Sequence, residues 1–335
     1  MWFTKPFAVE VREQSLPMPA AGELLVKTLS SAISAGTEML VYRGQIPGAM
    51  TLDASLDSLQ STANYPLQYG YASVGVVQQI GEGVDPEWTG KRVFSFQPHA
   101  SHFLATPASV IVLPDDIEPE AAVFLANMET AVNLVQDGAP AIGERVAVLG
   151  QGVVGLLLTG LLSRFPLADL MAVDGIAARR AQALRAGARQ AFAPEVVVES
   201  VAKSPQQESA FCSDADLIYE VSGVPEALNL AISLSGYSSR IVIGSWYGSK
   251  STVVPLGGEA HRNRLHISTS QVSTIAPSLS GRWDKARRFE LAWEMIRQTR
   301  PQQLITHRAP LHEADVLYRL LHEAPGDVLQ AIFRF

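Results

Sequence analysis

The segment from Arg145 to Arg185 constrains the fold of this chain more than any other. A β-branched and apolar run, Val146 to Leu149, leads directly into the turn Gly150-Gln151-Gly152-Val153-Val154-Gly155, and a leucine-rich amphipathic stretch follows it. A second apolar run, Leu170 to Val173, ends on Asp174, nineteen residues after Gly155. This order predicts a strand, a glycine turn, a helix and a second strand that ends in a carboxylate.

The pattern fits the binding of a dinucleotide. Gly150 permits the tight turn, Gly152 lets the backbone approach a pyrophosphate, and Gly155 lets the helix pack close to the strand. The helix N-terminus offers unpaired N–H groups to the anion, and Asp174 takes the hydroxyls of the adenosine ribose. The alternative is a glycine turn in an ordinary α/β domain that binds nothing.

A membrane helix is a further alternative, because Val146 to Leu162 is nearly all apolar. Four glycines, Gln151 and Thr159 interrupt the stretch, and arginines lie at both ends. It is too short and too broken to span a bilayer.

The rest of the chain predicts an α/β fold with two domains. From residue 126 to 273, strands and helices alternate as in a Rossmann-type, doubly wound parallel sheet. Residues 1–125 contain short alternating segments between glycine and proline turns, which predicts a partly antiparallel β domain. Amphipathic helices at Asp284–Arg297 and His312–Leu321 are expected to cover the sheet of that first domain, so residues 274–335 are assigned to it.

Composition excludes several classes of function. The chain has 335 residues, 47% hydrophobic and 18% charged, with a net charge of −7. No long basic run supports nucleic-acid binding, and the first residues lack the features of a secretory signal, so we expect a cytoplasmic protein. Cys212 is the only cysteine, which excludes an internal disulfide, and we interpret it as incidental. The segment from Tyr42 to Tyr65 is interpreted as a mobile surface loop over the cleft.

Over nearly its whole length the chain resembles the medium-chain dehydrogenase/reductase superfamily. The matching segments are Gly81-Glu82-Gly83-Val84, Gly90-Lys91-Arg92-Val93, Leu113-Pro114, Ala121 to Thr130, and Gly150 to Gly155. The resemblance implies a GroES-like β domain beside the Rossmann domain. Ser34 to Glu38, the block His261 to Arg264 leading to Ser270-Gln271-Val272, and Thr306-His307-Arg308 are similar to the branch that includes the bacteriochlorophyllide hydroxyethyl dehydrogenase.

The chain departs from the zinc enzymes of this superfamily at the metal ligands. Where they carry a cysteine, a histidine with glutamate, and a further cysteine or carboxylate, this chain has Ser34 or Ala35, Gly70-Tyr71-Ala72, and Ala126. Zinc binds thiolate, imidazole or carboxylate rather than aliphatic hydroxyl or methyl groups. The cysteine-rich lobe of a structural zinc is missing too, so we predict no zinc.

Without zinc, hydride transfer still needs a donor for the oxygen that gains negative charge. The resemblance places the proton-relay hydroxyl of the family at Thr37, and Tyr71 replaces a ligand histidine. His99 follows the strand Arg92 to Phe96 near the expected cleft. Each has a plain structural alternative: Thr37 as a helix cap, Tyr71 as a packed aromatic and His99 as a surface residue. A metal site made by Glu38, Glu129 and His99 is a further alternative.

The cofactor assignment rests on the ends of three strands. Asp174 repels the 2′-phosphate of NADP and favours NAD, although Arg179 and Arg180 nearby make NADP possible. The resemblance places contacts to the ribose and nicotinamide at Ser222 and Gly223 and at Gly244, Ser245 and Trp246. Trp246 alternatively lines the substrate pocket or packs in a subunit interface.

These observations predict a zinc-independent, NAD(P)-dependent oxidoreductase that moves hydride between nicotinamide and a secondary alcohol or its ketone. Two alternatives stay open: an NAD(P)H-dependent enone or quinone reductase, and a non-catalytic nucleotide-binding or structural protein. The expected partner is a small-molecule substrate, with neither a nucleic acid nor a membrane. By analogy with the superfamily, we expect a homodimer that pairs through the strand edge near Ile241 to Ser251.

Overall fold

A computed structural model describes residues 1–16, 18–47, 64–201 and 214–335 of the chain. The chain divides into two compact units. The mixed-sheet unit consists of Met1–Ala126 and Ile296–Phe335, and the parallel-sheet unit consists of Asn127–Met295. Most of the predicted mobile loop, residues 48–63, and Cys212 lie outside the described residues.

The parallel-sheet unit has the predicted doubly wound architecture. Its strands are β8 (Arg145–Leu149), β9 (Asp169–Val173), β10 (Gln190–Phe192), β11 (Ala215–Glu220), β12 (Ser235–Ile243) and β13 (His266–Thr269). Its helices include α4 (Val153–Leu162), α5 (Ala177–Ala186), α6 (Pro194–Val201) and α7 (Ala227–Leu234). The sheet order is β10-β9-β8-β11-β12-β13 with every pair parallel, so the direction of winding reverses between β8 and β11. Such a reversal is where this class of sheet binds its ligand.

Local sequence explains why these elements form. The inner strands β8, β9 and β11 are largely buried on both faces and therefore read as apolar runs rather than as alternating patterns. Gly187, with a φ of +109°, ends α5 in the left-handed conformation that glycine adopts without strain. α7 ends at Leu234 and β12 begins directly after it at Ser235, so Gly236 lies in the strand.

The edge strands of this sheet are β10 and β13, so the dimer edge expected near Ile241 does not begin on an edge strand. Ile241 lies in β12, which is paired on one side with β11 and on the other with β13. All four residues of β13 are exposed. In this sheet β13 is therefore paired on one side only, whereas β12 is paired on both.

The mixed-sheet unit contains both antiparallel and parallel pairs. Its strands are β1 (Trp2–Lys5), β2 (Ala8–Glu10), β3 (Leu24–Ala32), β4 (Ser73–Ile80), β5 (Arg92–Ser95), β6 (His102–Ala105), β7 (Ile111–Val112), β14 (Ile305–Pro310) and β15 (Gln330–Arg334). The main sheet has the order β14-β15-β3-β4-β5-β7, with β6 also paired to β3. Its helices include α1 (Ala35–Tyr42), α2 (Pro119–Ala122) and α9 (Ala314–Glu323), and α9 buries Leu317, Tyr318 and Leu321 in the same core as Phe3 and Phe333.

Two helices cross the boundary between the units along the chain, α3 (Leu125–Gly138) and α8 (Lys285–Thr299). The sequence assigns residues 274–295 to the first domain, whereas the structure groups them with the second. The reason lies at Arg288, which is fully buried and donates through Nε to Glu129 at 3.0 Å and through Nη1 to the carbonyl oxygen of Thr274 at 3.1 Å. The first part of α8 is thereby fixed inside the parallel-sheet unit. No described helix combines the length and the apolarity needed to cross a bilayer.

Candidate cofactor and catalytic sites

The glycine turn after β8 leaves space where a phosphate would lie. Gly150 has a φ of +97°, and a Cβ added to it would lie 2.5 Å from the Cα of Ser222. A Cβ on Gly155 would lie 2.0 Å from the carbonyl oxygen of Gly150, so only glycine fits there. Gly152, in contrast, has no atom within 4 Å of its added Cβ position. Gly150 and Gly155 are therefore required by the fold, whereas the open space at Gly152 is available to a ligand.

The first turn of α4 supplies the donors that this space needs. Gly152 is the N-cap residue, and Val153 and Val154 open the helix while half-buried. The N–H groups of a first helical turn have no partner within the helix and carry its positive dipole end. The residues present fit a diphosphate, which such a turn binds without side chains.

Gln151 does not face the open space. Its side chain is buried, with Nε2 donating to the carbonyl oxygen of Val148 at 3.2 Å and Oε1 accepting from Thr159 Oγ1 at 3.0 Å. The side chain therefore joins the turn to α4, and this position would contribute to a cofactor site through its backbone alone.

Asp174 is buried directly after β9 and holds the glycine turn. Its Oδ2 accepts from the N–H of Gln151 at 2.7 Å, and its Oδ1 accepts from the N–H of Ile176 at 2.8 Å. Arg180 donates through Nη1 to the carbonyl oxygens of Asp174 and Gly175, at 2.8 and 3.0 Å. Arg179 lies beside it in the first turn of α5. Both arginines thus belong to the segment that follows β9.

The loops after β11 and β12 are joined to each other. The N–H of Gly223 donates to Ser245 Oγ at 2.9 Å, and Lys250 Nζ donates to the carbonyl oxygen of Gly223 at 2.8 Å. Gly244 donates its N–H to the carbonyl oxygen of Glu220 at 2.9 Å. Ser222 is half-buried in the first loop and Trp246 in the second. All five predicted positions of these loops therefore lie at the carboxyl edge of the sheet.

Sequence reasoning missed Glu220, which is completely buried at the end of β11. Its Oε1 accepts from the N–H of Ser222 at 2.8 Å and from the Ser222 hydroxyl, and its Oε2 accepts from the Tyr247 hydroxyl. Burial and this carboxylate raise the pKa of Tyr247 well above its usual range, so its hydroxyl remains a donor. The available signal was an apolar strand that ends on an acid, the same pattern that singled out Asp174.

In the mixed-sheet unit, three hydroxyls come together at the start of α1. Ser34 is the N-cap residue of the helix, and Thr37 lies in its first turn. The Tyr71 hydroxyl is hydrogen-bonded to Ser34 Oγ and lies 3.3 Å from Thr37 Oγ1. All three residues are half-buried. We call Ser34, Thr37 and Tyr71 the hydroxyl triad.

His99 is fully buried, so it is not a surface residue. Its Nε2 lies 3.0 Å from Glu38 Oε2, and its Nδ1 lies 2.7 Å from Ser31 Oγ. Glu38 also accepts from the Tyr318 hydroxyl and, at 2.7 Å, from the N–H of Ser34. Burial and the nearby carboxylate raise the pKa of Tyr318. Both ring nitrogens of His99 are therefore hydrogen-bonded. Through Glu38, this buried network is connected to the backbone of Ser34 in the hydroxyl triad.

The donor set at the triad does not fit zinc. Of the positions that carry ligands in the zinc enzymes, Ser34 and Tyr71 offer hydroxyls, and Ala35 and Ala126 offer no donor. Glu129, the other acid of the hypothetical metal site, receives hydrogen bonds from Arg288 and Lys285. Within residues 1–16, 18–47, 64–201 and 214–335, no three His, Cys, Asp or Glu side chains are grouped so that they could hold a metal ion.

Comparison with known proteins extends over nearly the whole chain. It is 24% identical to the starvation-sensing protein RspB of Escherichia coli K12, over 93% of this chain and 92% of that protein. It is 25% identical to D-guloside 3-dehydrogenase of the same organism, over 82% of this chain and 81% of the enzyme. A crystal structure of the alcohol dehydrogenase rspB from E. coli CFT073 with NADH superposes with a TM-score of 0.78 and 21% identity, over 100% of this chain and 98% of that one. No family model matches the chain.

This chain is an oxidoreductase of the alcohol dehydrogenase type. The predicted fold, a GroES-like partly antiparallel domain with a Rossmann sheet, is confirmed. The similarity of the oxidoreductase to medium-chain dehydrogenases is confirmed as well, whereas its place in the bacteriochlorophyllide branch stays a prediction.

Proposed function

We propose that this oxidoreductase transfers hydride between NAD and a secondary alcohol or its ketone, without catalytic zinc. The observation that carries the proposal is the hydroxyl triad. By the resemblance, Ser34 and Tyr71 stand at ligand positions of the zinc enzymes and Thr37 at the proton-relay position. The triad supplies hydrogen-bond donors in place of a Lewis acid.

The residues of the parallel-sheet unit account for cofactor binding. The N–H groups at the start of α4 bind a diphosphate, and the carboxylate of Asp174 accepts from ribose hydroxyls in addition to the two backbone groups that it already holds. A 2′-phosphate would bring a second negative charge to Asp174, which favours NAD over NADP. When bound, the nicotinamide supplies the hydride acceptor or donor.

The hydroxyl triad supplies the proton that the carbonyl oxygen takes up when the substrate is reduced. As a carbonyl oxygen is reduced it gains negative charge, and the Tyr71 hydroxyl can donate to it because phenols are more acidic than aliphatic alcohols. In the resting site the Tyr71 hydroxyl donates to Ser34, and Thr37 Oγ1 lies 3.3 Å from it, so the two aliphatic hydroxyls hold the Tyr71 ring in place. His99 and Glu38 keep the N-cap of α1 in position without contacting the reacting oxygen.

Removing the Tyr71 hydroxyl tests this assignment. Tyr71→Phe is expected to lower kcat by about 10²- to 10⁴-fold, the usual contribution of a general acid, with the Kd of NADH within about twofold of wild type. Exposed Tyr237, in the other unit, provides the control Tyr237→Phe, which should leave both quantities unchanged. The assay follows nicotinamide oxidation and reduction with a panel of secondary alcohols, polyols, ketones and enones.

Two results would overturn the proposal. Turnover of enones alone would favour the reductase alternative, and nicotinamide binding without any turnover would favour a non-catalytic protein. Zinc at one equivalent per chain, with activity lost to a chelator and restored by zinc, would refute the metal-free chemistry. A cytoplasmic location and a homodimer stay predictions from the sequence.

A further inference from the structure

His99 lies fully buried between the two segments of the chain that carry the hydroxyl triad. On one side, its Nε2 lies 3.0 Å from Oε2 of Glu38, which belongs to α1 as Thr37 does. On the other side, its ring lies against the backbone at Gly70, where an added Cβ would be 2.9 Å from both Cδ2 and Nε2. Gly70 directly precedes Tyr71. One imidazole therefore contacts both segments.

The ring of His99 is itself fixed to the mixed sheet. Its Nδ1 lies 2.7 Å from Ser31 Oγ in β3, and it packs edge to face with Phe333 of β15, with ring centroids 5.1 Å apart. Ser31 and Phe333 are paired residues of these neighbouring strands. A neutral imidazole donates from one nitrogen and accepts at the other, so no particular charge is needed to hold the ring.

Glu38 connects the position of this ring to the hydroxyl triad. Its Oε1 accepts from the N–H of Ser34 at 2.7 Å, and Ser34 Oγ in turn accepts from the Tyr71 hydroxyl. The hydrogen bond between Ser34 and Tyr71 therefore joins the two segments that His99 separates. Because a misplacement of about 1 Å in a reacting group can cost about 10²-fold in rate, the separation of these segments matters for proton transfer.

We infer that His99 is a positioning residue of the proton-transfer step. It sets the distance between α1 and the segment of Tyr71, and it thereby aims the Tyr71 hydroxyl at the reacting oxygen. The inference rests on the proposed function, because His99 acts through Tyr71. The full burial of the imidazole agrees with this role rather than with contact to a substrate.

Two matched substitutions separate the polar contacts of the ring. The amide nitrogen of His99→Gln can take the place of Nε2 and keep the bond to Glu38, whereas that of His99→Asn can take the place of Nδ1 and keep the bond to Ser31. His99→Asn should lower kcat by about 10- to 100-fold, with the Kd of NADH within about twofold of wild type. His99→Gln should recover most of that loss. Exposed His312→Asn, in the same unit, should change neither quantity.

The same substitution in a Tyr71→Phe background tests whether His99 acts through Tyr71. Once the phenol hydroxyl is gone, its position no longer matters, so His99→Asn should lower kcat there by less than about twofold. A residue that supported the fold alone would lower kcat by the same factor in both backgrounds. Single-turnover oxidation of NADH, followed with each variant, gives the four rates.

An equal loss in both backgrounds, or an unchanged kcat in His99→Asn, would overturn the inference and leave the proposed function intact. An unchanged kcat in Tyr71→Phe alone would overturn both. Should His99→Asn not fold, Gly70→Ala replaces it, because the added Cβ displaces the imidazole and leaves its two nitrogens in the chain. A loss of kcat that disappears in the Tyr71→Phe background would then support the inference, and a wild-type kcat in Gly70→Ala would contradict it.

Discussion

At the scale of single residues, the glycines of the turn serve two different purposes. The fold requires glycine at position 155, whereas a bound ligand would require it at position 152. Gly155→Ala places a Cβ against the carbonyl oxygen of Gly150, and backbone cannot move aside as a flexible side chain could. We expect a loss of stability of about 1–3 kcal/mol, together with loss of NADH binding. Thermal denaturation and NADH titration measure the two effects.

Gly152→Ala is the matched control for this prediction. The added Cβ meets no atom within 4 Å, and the φ of −70° suits any residue, so the melting temperature should stay near that of wild type. NADH binding should nevertheless weaken about tenfold or more, because the methyl group occupies the space for the diphosphate. Unchanged NADH affinity in Gly152→Ala would place the diphosphate elsewhere.

At the scale of elements, Glu120 joins α2 to the two strands at one edge of the mixed sheet. Arg308 of β14 and Arg334 of β15 both form ion pairs with its carboxylate. The hydrogen bond from Arg308, and then that from Arg334, lower the pKa of Glu120 below its usual value. Stability from this cluster is therefore present above the pKa of the unfolded chain, near 4.5, and is lost as the pH falls through the lower folded value.

Glu120→Gln should accordingly reduce stability at pH 7 by about 1 kcal/mol or less, since the groups are partly exposed and screened. The difference from wild type should shrink as the pH is lowered from about 5 toward 3. Urea denaturation across this range measures it, with exposed Glu290→Gln as the control. A difference that grows in acid would contradict the assignment.

At the same scale, part of the fold could be predicted from the sequence. The strands and helices around Gly150 to Gly187 follow from apolar runs and from glycines, because the residues that determine these elements are close together in the sequence. The β-rich run from Phe103 to Leu113, which a local pattern predicts as one segment, forms two strands, β6 and β7, with a turn at Pro107 between them. The network of Glu38 with His99 and Tyr318 joins residues 61 and 280 positions apart, which no local pattern encodes. Tyr71 could be nominated by resemblance, but its bond to Ser34 could not.

At the scale of the whole molecule, cofactor binding should be visible as stabilisation. At about 100 times its Kd, a ligand that binds only the folded chain stabilises it by about 2.7 kcal/mol. NADH should therefore raise the melting temperature, and NADPH should raise it less at equal concentration, because its 2′-phosphate meets the carboxylate of Asp174. A thermal shift assay with both nucleotides gives the answer. No protection by either would remove the basis for a dinucleotide site.

The two hydrogen bonds that Asp174 accepts from the backbone limit how this enzyme can be redesigned. Exchanging the acid for a small residue is the obvious way to admit a 2′-phosphate. Here that exchange would leave the N–H groups of Gln151 and Ile176 without their acceptor. The loop that has to bind the new cofactor would then be less well ordered. A converted enzyme would need a substitute acceptor such as an asparagine oxygen, so coenzyme preference and loop integrity would have to be engineered together.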